Sequence, residues 1–245
     1  FVGGAVAQID QDLCEGCGTC ENICRFNAIR KLRNNHGSYF MVDSTACEGC
    51  AACYYQCPTN AIQMQPQIAG SWFRSQSCFG LLFHAELRPA QENSGKLVTM
   101  VKQQALLAGL ASGAEVMIVD GPPGIGCPVI SAASGADMAL IVTEPTAAGI
   151  HDLHRVWEMT KHFHLESMVL INKEDLYLVA ANEIKQFCAE NNIQVIGSLP
   201  FDPAITEAMI QGEPVTAYRA SAPSSVALTA IWGQLAQVLK DSSQE

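Results

Sequence analysis

Eight of the eleven cysteines fall into two runs of identical spacing, and no other feature restricts the architecture so severely. Cys14, Cys17, Cys20 and Cys24 follow C-x2-C-x2-C-x3-C; Cys47, Cys50, Cys53 and Cys57 repeat it, with Pro58 after the last thiol. The runs keep a constant offset of 33 residues, and the agreement extends past the thiols. Asp10, Glu15, Gly16, Asn27, Ala28 and Ile29 return as Asp43, Glu48, Gly49, Asn60, Ala61 and Ile62. This is an internal duplication, so the first part of the chain should consist of two equivalent halves.

Three cysteines, each two residues from the next, wrap a tight loop around one face of an inorganic cubane. Gly16, Gly18 and Gly49 permit the close backbone approach this needs. In bacterial two-cluster runs the fourth cysteine ligates the other cluster. Cys14, Cys17, Cys20 and Cys57 are therefore assigned to one [4Fe-4S] cluster, and Cys47, Cys50, Cys53 and Cys24 to a second. Crossed ligation ties the halves together and holds the clusters near each other, which suits electron transfer. Zinc prefers paired C-x2-C knuckles, and a disulfide framework implies a secreted chain, whereas no apolar signal segment opens this one. Arg25, not proline, follows Cys24, and its charge is expected to raise the potential of the nearer cluster.

The chain is 49% apolar and carries a formal charge of −10 before any cluster is counted. That excludes nucleic acid as an expected partner and favours a redox protein with a basic docking face. No apolar run reaches membrane-spanning length, and eight metal-ligating thiols imply a reducing, cytoplasmic setting. The sequence begins at Phe1 and its first methionine is Met41, between the two cysteine runs, so it is expected to be a processed chain, a fragment or the product of a truncated gene model.

Beyond the cysteines, residues 67–95 read as two strands and a polar connector. Helices are expected over 96–112, 128–135, 149–163, 179–191, 203–211 and 224–240, with strands over 115–120, 138–144, 166–173 and 193–200. Buried strands alternating with helices predict a doubly wound, mostly parallel α/β sheet. The expected domains are 5–66, an α+β unit of the bacterial two-cluster ferredoxin type, and 67–245, the α/β unit.

Ligands of such sheets bind beyond the carboxyl ends of the strands. After the strand ending at Val119 comes Asp120-Gly121-Pro122-Pro123-Gly124, a carboxylate and rigid turn suited to orienting the water shell of Mg²⁺ and sensing a γ-phosphate. Asp-Gly and Pro-Gly are also ordinary turn formers. Later strands are followed by Thr143-Glu144-Pro145-Thr146, by Asn172-Lys173 and by Pro200-Phe201-Asp202. An asparagine there can bond an adenine edge, and a proline loop can cover the base.

Taken together, the chain resembles the MinD/Mrp-type P-loop ATPases that carry an inserted two-cluster ferredoxin domain. The resemblance rests on the doubled cysteine runs, Ser94-Gly95-Lys96-Leu97-Val98, the stretch Asp120 to Val129, Thr143 to Thr146, His151-Asp152-Leu153 and Ile171-Asn172-Lys173. It implies that Asp120 is the Mg²⁺/water aspartate, that Asn172 and the Pro200 loop contact adenine, and that the protein pairs as a homodimer around ATP. It further implies that nucleotide hydrolysis gates electron flow to a partner or to metal-cofactor assembly. Family members also open with a strand and a G-K-G-G-x-G-K-[ST] loop, expected to precede Phe1; Gly95-Lys96 is the nearest approach, with Ala90 and Leu97 at the required Gly and Ser/Thr positions. Without that loop the chain is expected to bind ATP poorly. Alternatives are a cluster carrier or scaffold ATPase, which would need a transferable site on a C-x2-C pair, and a plain electron carrier whose second domain only docks partners.

Cys78 and Cys188 are expected to be small buried hydrophobes, and Cys127 is a candidate redox group beside the Asp120 turn. Tyr54 and Tyr55 are expected to pack over the second cluster. His151 and His154 read as a solvated helix surface.

Overall fold

The computed structural model describes residues 1–34, 37–89 and 95–242. The polar break at 90–94, including Ala90 and Ser94, lies outside the described residues. The chain divides into two compact units, Phe1–Asp120 and Gly121–Glu245.

The first unit begins with the duplicated segment: β1 (Val2–Ile9), α1 (Thr19–Ile23), β2 (Ile29–Asn34), β3 (Gly37–Val42), α2 (Ala52–Gln56) and β4 (Ile62–Ile68). The 33-residue offset carries α1 onto α2 and β2 onto β4. Antiparallel ladders join β1 to β4 and β2 to β3, so each contains a strand from either half. The recurring residues now acquire reasons. Asp10 N–H donates to Ala61 O and Asp43 N–H to Ala28 O, both at 2.7 Å. The two aspartates also accept from the backbone two residues on, Asp12 N at 2.9 Å and Thr45 N at 3.0 Å. Asn27 and Asn60 take left-handed φ of 52° and 53°, a region asparagine tolerates better than most residues. Ala7, Ile9, Ile29, Phe40 and Ile62 form one core with Cys20 and Cys53, so burial of the thiols and collapse of the halves are one event.

The unit continues as an antiparallel hairpin of β5 (Gly70–Ser77) and β6 (Gly80–Leu87), followed by α3 (Lys96–Ser112). Gly95 and Gly113, with φ of 73° and 69°, bracket α3. The strand expected over 115–120 does not form. An apolar run becomes a strand only where a neighbour takes its backbone groups, and none pairs with this one among the described residues. Its side chains are accordingly exposed, Ile118 to 78%.

In the second unit α4 (Cys127–Ala133) leads to β7 (Met138–Thr143), α5 (Ala147–His162), β8 (Glu166–Ile171), α6 (Leu178–Glu190), β9 (Gln194–Ser198), α7 (Pro203–Gln211), α8 (Val215–Tyr218) and α9 (Pro223–Ser242). The three strands are parallel in the order β7-β8-β9. Alternation along β8 explains the double winding. Val169 and Ile171 meet Leu153 of α5 and Ile184 and Cys188 of α6 on one face. Met168 and Leu170 meet Ile196 of β9 and Ile231 of α9 on the other. Gly197 lets α9 lie directly on β9, since a Cβ there would come 2.6 Å from Ile231 Cγ1. The expected helices and the last three strands are present within a few residues. The 3-10 turn Glu174–Leu176 and short α8 were not foreseen, because neither is long enough to show a period.

Candidate functional site

The first unit holds two cavities partly open to solvent, of about 310 and 350 Å³ with the open space at their mouths included. Cys14, Cys17, Cys20 and Cys57 line the smaller, and Cys24, Cys47, Cys50 and Cys53 the larger. The folded backbone builds each set from local geometry. A left-handed residue, Gly18 (φ 80°) or Ala51 (φ 60°), turns the loop into α1 or α2. These helices bury the third thiol of each run, Cys20 and Cys53, both 8% exposed. The helices stop at Cys24 and Cys57, whose extended backbones (ψ 105° and 115°) carry the fourth thiol away from its own run. The left-handed Asn27 and Asn60 then return the chain so that Ala28 N–H donates to Cys24 Sγ (3.4 Å) and Ala61 N–H to Cys57 Sγ (3.3 Å).

Among the described residues no three His, Cys, Asp or Glu side chains converge on a single ion. A cubane asks for something else: four thiolates around one body, each on its own iron corner. All eleven cysteines are free thiols, so no disulfide competes for the eight. Burial pushes Cys20 up to about 11 and Cys53 upward as well. Cys17 is held below the ordinary thiol range by the Thr19 hydroxyl and backbone. At Cys57 burial acts upward, but the Thr59 hydroxyl and the Ala61 N–H outweigh it and the net displacement is downward. Ligation requires thiolates, so iron at the buried pair would displace protons. The donor set, cavities and N–H···S bonds fit the cluster chemistry.

Thr19 and Thr59 escaped the sequence reading. Each follows a cysteine by two residues, and comparing the two repeats position by position would have exposed them. Tyr54 and Tyr55, by contrast, line neither cavity. They meet edge to face at 5.1 Å and are 44% and 79% exposed, because they lie on the outer side of the one-and-a-half-turn α2. The shielding expected of them is not seen.

At the carboxyl ends of the parallel strands Asn172 Nδ2 donates to Glu144 Oε1 (3.2 Å), and Lys173 Nζ pairs with the same oxygen at 2.7 Å. Glu144, quoted only as part of a loop, thus joins the ends of β7 and β8. Lys173 is left-handed, φ 55°, turning the chain into the Glu174–Leu176 turn. There Glu174 holds Lys185 Nζ and Ser198 Oγ; the Lys185 contact leads in keeping its carboxyl below the usual range. Phe201 N–H donates to Asp175 Oδ1 (2.6 Å) while its ring is 53% exposed beside Pro200. Asp202 caps α7 through Ala204 N (2.9 Å) and accepts from Ser224 N and Oγ (3.1 and 2.7 Å). The structure therefore gathers Glu144, Asn172 and Lys173, and commits the Asp202 carboxylate to packing. Asp120 closes the first unit and Gly121 opens the second. Asp120 is exposed at the end of the unpaired 116–119 run, and Gly121, Pro122, Pro123 and Gly124 (φ 89°) lead into α4.

Of the remaining thiols, Cys188 is 1% exposed in the core, as expected. Cys78 is not buried: it occupies the exposed two-residue turn between β5 and β6, where a hairpin tip has nothing to pack against. Cys127 is exposed at the first turn of α4. His154 is exposed, as read, but stacks on Phe187 at 3.9 Å.

Residues 7–64 match the 4Fe-4S dicluster domain, and residues 93–236 match the NUBPL iron-transfer P-loop NTPase family. An uncharacterized protein of Methanocaldococcus jannaschii is 33% identical over 80% of this chain and 63% of its own length. An iron-sulfur cluster carrier protein of Aquifex aeolicus is 22% identical over 51% of this chain and 38% of its own. The chain thus spans less than two thirds of these relatives. The MinD cell division protein of Aquifex aeolicus superposes with a TM-score of 0.50 at 24% identity, covering 57% of this chain and 61% of that one, a likeness of fold. Among the described residues no helix is long and apolar enough to cross a membrane.

Proposed function

The chain belongs to the NUBPL iron-transfer P-loop NTPase family, and on that footing we propose that it holds two resident [4Fe-4S] clusters and passes electrons to a partner protein under nucleotide control. The observation that carries this reading is the pair of four-thiol cavities, each closed by the fourth cysteine of the opposite run. Cys14, Cys17, Cys20 and Cys57 hold one cluster; Cys24, Cys47, Cys50 and Cys53 hold the other. When bound, each cluster supplies one-electron chemistry. The protein's part is to keep Cys20 and Cys53 out of water, to supply N–H donors to Cys24 and Cys57, and to hold both sites in one core.

The proposed division is a cluster domain over 5–66 and a nucleotide domain over 67–245. In the latter Asp120 orients the Mg²⁺ water shell and Gly121, Pro122, Pro123 and Gly124 form the turn beside the phosphates. Asn172 reads the adenine edge, Lys173 steadies Glu144 beside it, and Pro200 and Phe201 cover the base, with Asp202 anchoring their loop. ATP with Mg²⁺, a homodimer, a redox partner and a cytoplasmic setting complete the proposal for the whole protein.

The iron-transfer description of the family favours a second reading, in which the protein carries clusters to acceptors. The three spare cysteines form no C-x2-C pair for a transferable cluster, and six of the eight ligands are buried in the core of their unit or packed against it, Cys17 and Cys50 being exposed. Anaerobic reconstitution followed by incubation with an apo-ferredoxin acceptor separates the two. Retention of about eight irons, with a dithionite-reduced paramagnetic signal, is expected. Migration of clusters to the acceptor establishes the carrier instead, and zinc in place of iron overturns both.

A further inference from the structure

The two cluster sites are equivalent in nearly everything the duplication controls. Cys14 and Cys47 are half-buried, Cys17 and Cys50 exposed, Cys20 and Cys53 each 8% exposed, and Cys24 and Cys57 half-buried. Each site has one backbone N–H donating to its fourth sulfur, at 3.4 and 3.3 Å. Each has one glutamate on its wall, Glu15 or Glu48.

Two of the positions at which they differ place a hydroxyl against a sulfur. Thr19 Oγ1 lies 3.5 Å from Cys17 Sγ, and Thr59 Oγ1 lies 3.7 Å from Cys57 Sγ. Both sulfurs line the smaller cavity, as do both threonines. Thirty-three residues away, the equivalent of Thr19 is Ala52, and that of Thr59 is Phe26. These two line the larger cavity and offer no hydroxyl. The free Cys17 thiol donates to the Thr19 oxygen, and between Cys57 and Thr59 either group can donate; once the sulfur is an iron-bound thiolate it can only accept, and the hydroxyl turns to donate.

Resting on the two-cluster reading above, we infer that Thr19 and Thr59 make the sites electronically unequal. The cluster held by Cys14, Cys17, Cys20 and Cys57 is reduced first, and the one held by Cys24, Cys47, Cys50 and Cys53 second. Adding one electron makes a cluster and its thiolates more negative. O–H donors aimed at the sulfurs stabilise that added charge and raise the potential, as hydrogen bonds to cluster sulfurs do generally. No bond is made or broken: one electron from an external low-potential donor is gained per cluster, and the order of filling follows the donors.

One feature of the larger site acts the other way. Arg25 follows Cys24 where Pro58 follows Cys57, and a positive charge also raises a potential. Arg25 is exposed, so water and salt attenuate it, the Debye length being about 3 Å at 1 M ionic strength. A hydroxyl in contact with its sulfur is not screened in this way.

The test is an anaerobic potentiometric titration of the iron-loaded full chain with dithionite, followed by paramagnetic resonance. It is run at low salt and near 1 M salt on wild type, Thr19→Val with Thr59→Val, Thr19→Ser with Thr59→Ser, and Ala52→Thr. Two separate one-electron steps are expected in the wild type. The valine variant should move the upper step to lower potential and leave the lower step in place, the serine variant should keep both, and Ala52→Thr should raise the lower step. The gap should widen at high salt as Arg25 is screened. Coincident steps in wild type at high salt, a lower step that moves with the valines, or an upper step indifferent to them overturns the assignment while about eight irons leave the two-cluster reading standing. About four irons in the wild type overturns both.

Discussion

Replacing Cys17 and Cys57 by alanine, singly and together, tests the geometry that decides the function. The two residues belong to different sequence runs but line the same 310 Å³ cavity. Cys17 and Cys24 belong to the same run but line different cavities. A cubane needs four thiolates, so any one loss should cost about four of about eight irons. The Cys17/Cys57 double variant then has nothing further to lose and should retain about four. The Cys17/Cys24 double variant strikes both sites and should retain almost none. Interacting positions give non-additive losses and independent ones additive losses, so the comparison survives even if a single replacement costs less than a whole cluster. The assay is iron and acid-labile sulfide per polypeptide after anaerobic purification, with circular dichroism to confirm folding. Cys78→Ala, at an exposed hairpin tip, serves as the control that loses nothing. Additive loss for Cys17/Cys57 together with non-additive loss for Cys17/Cys24 would refute crossed ligation and with it the role of the extended backbones at Cys24 and Cys57.

Gly49→Ala should cost more stability than its repeat mate Gly16→Ala. Both have left-handed φ (66° and 71°), but the new Cβ would lie 2.3 Å from Ala5 O in β1 in the first case and 3.2 Å from Ser38 O in the second. Left-handed strain of about 1–2 kcal/mol applies to both, and overpacking against the β1 backbone adds about 1–3 kcal/mol to Gly49→Ala alone. Equal losses in denaturant unfolding of the loaded proteins would contradict this. Asp202→Ala should change the pH dependence of stability: bonds from Ala204 N–H, then Ser224, hold the Asp202 carboxyl below its ordinary range. A lowered folded-state value gives stabilisation fully present above the unfolded carboxylate value of about 4 and lost as pH falls through the folded one. The gap between wild type and variant should therefore be constant from about pH 5 to 7 and shrink in acid; both carry the same clusters, whose acid lability cancels. A gap unchanged down to about pH 2 would show that the carboxylate is not the cap it forms here.

The grouping of the eight cysteines around two cavities could be read from the chain because it is a matter of residue type and spacing. The cysteine assignments, the duplication and the alternation of helices with parallel strands are all local or periodic signals. Expectations went astray where a side chain's fate depends on what lies opposite. The 116–119 run is as apolar as β8, yet it has no neighbour to take its backbone groups and remains exposed. Cys78 and Cys188 are both isolated thiols, but one tops a hairpin and the other lies on the buried face of α6. Tyr55 follows a buried cysteine closely in the chain and still faces solvent, because α2 turns it outward.

The sequence by itself determined that eight thiols come in two equivalent sets and that a parallel sheet follows them, since both are properties of spacing and period. The tertiary structure supplied the means by which the fourth thiol of each run reaches the opposite cavity, backbones that leave their helices extended at Cys24 and Cys57. It alone placed Thr19 and Thr59 against sulfurs while Ala52 and Phe26 fill the matching positions. A hydrogen bond depends on distances of a few tenths of an ångström, and such distances exist only once the chain has closed on itself.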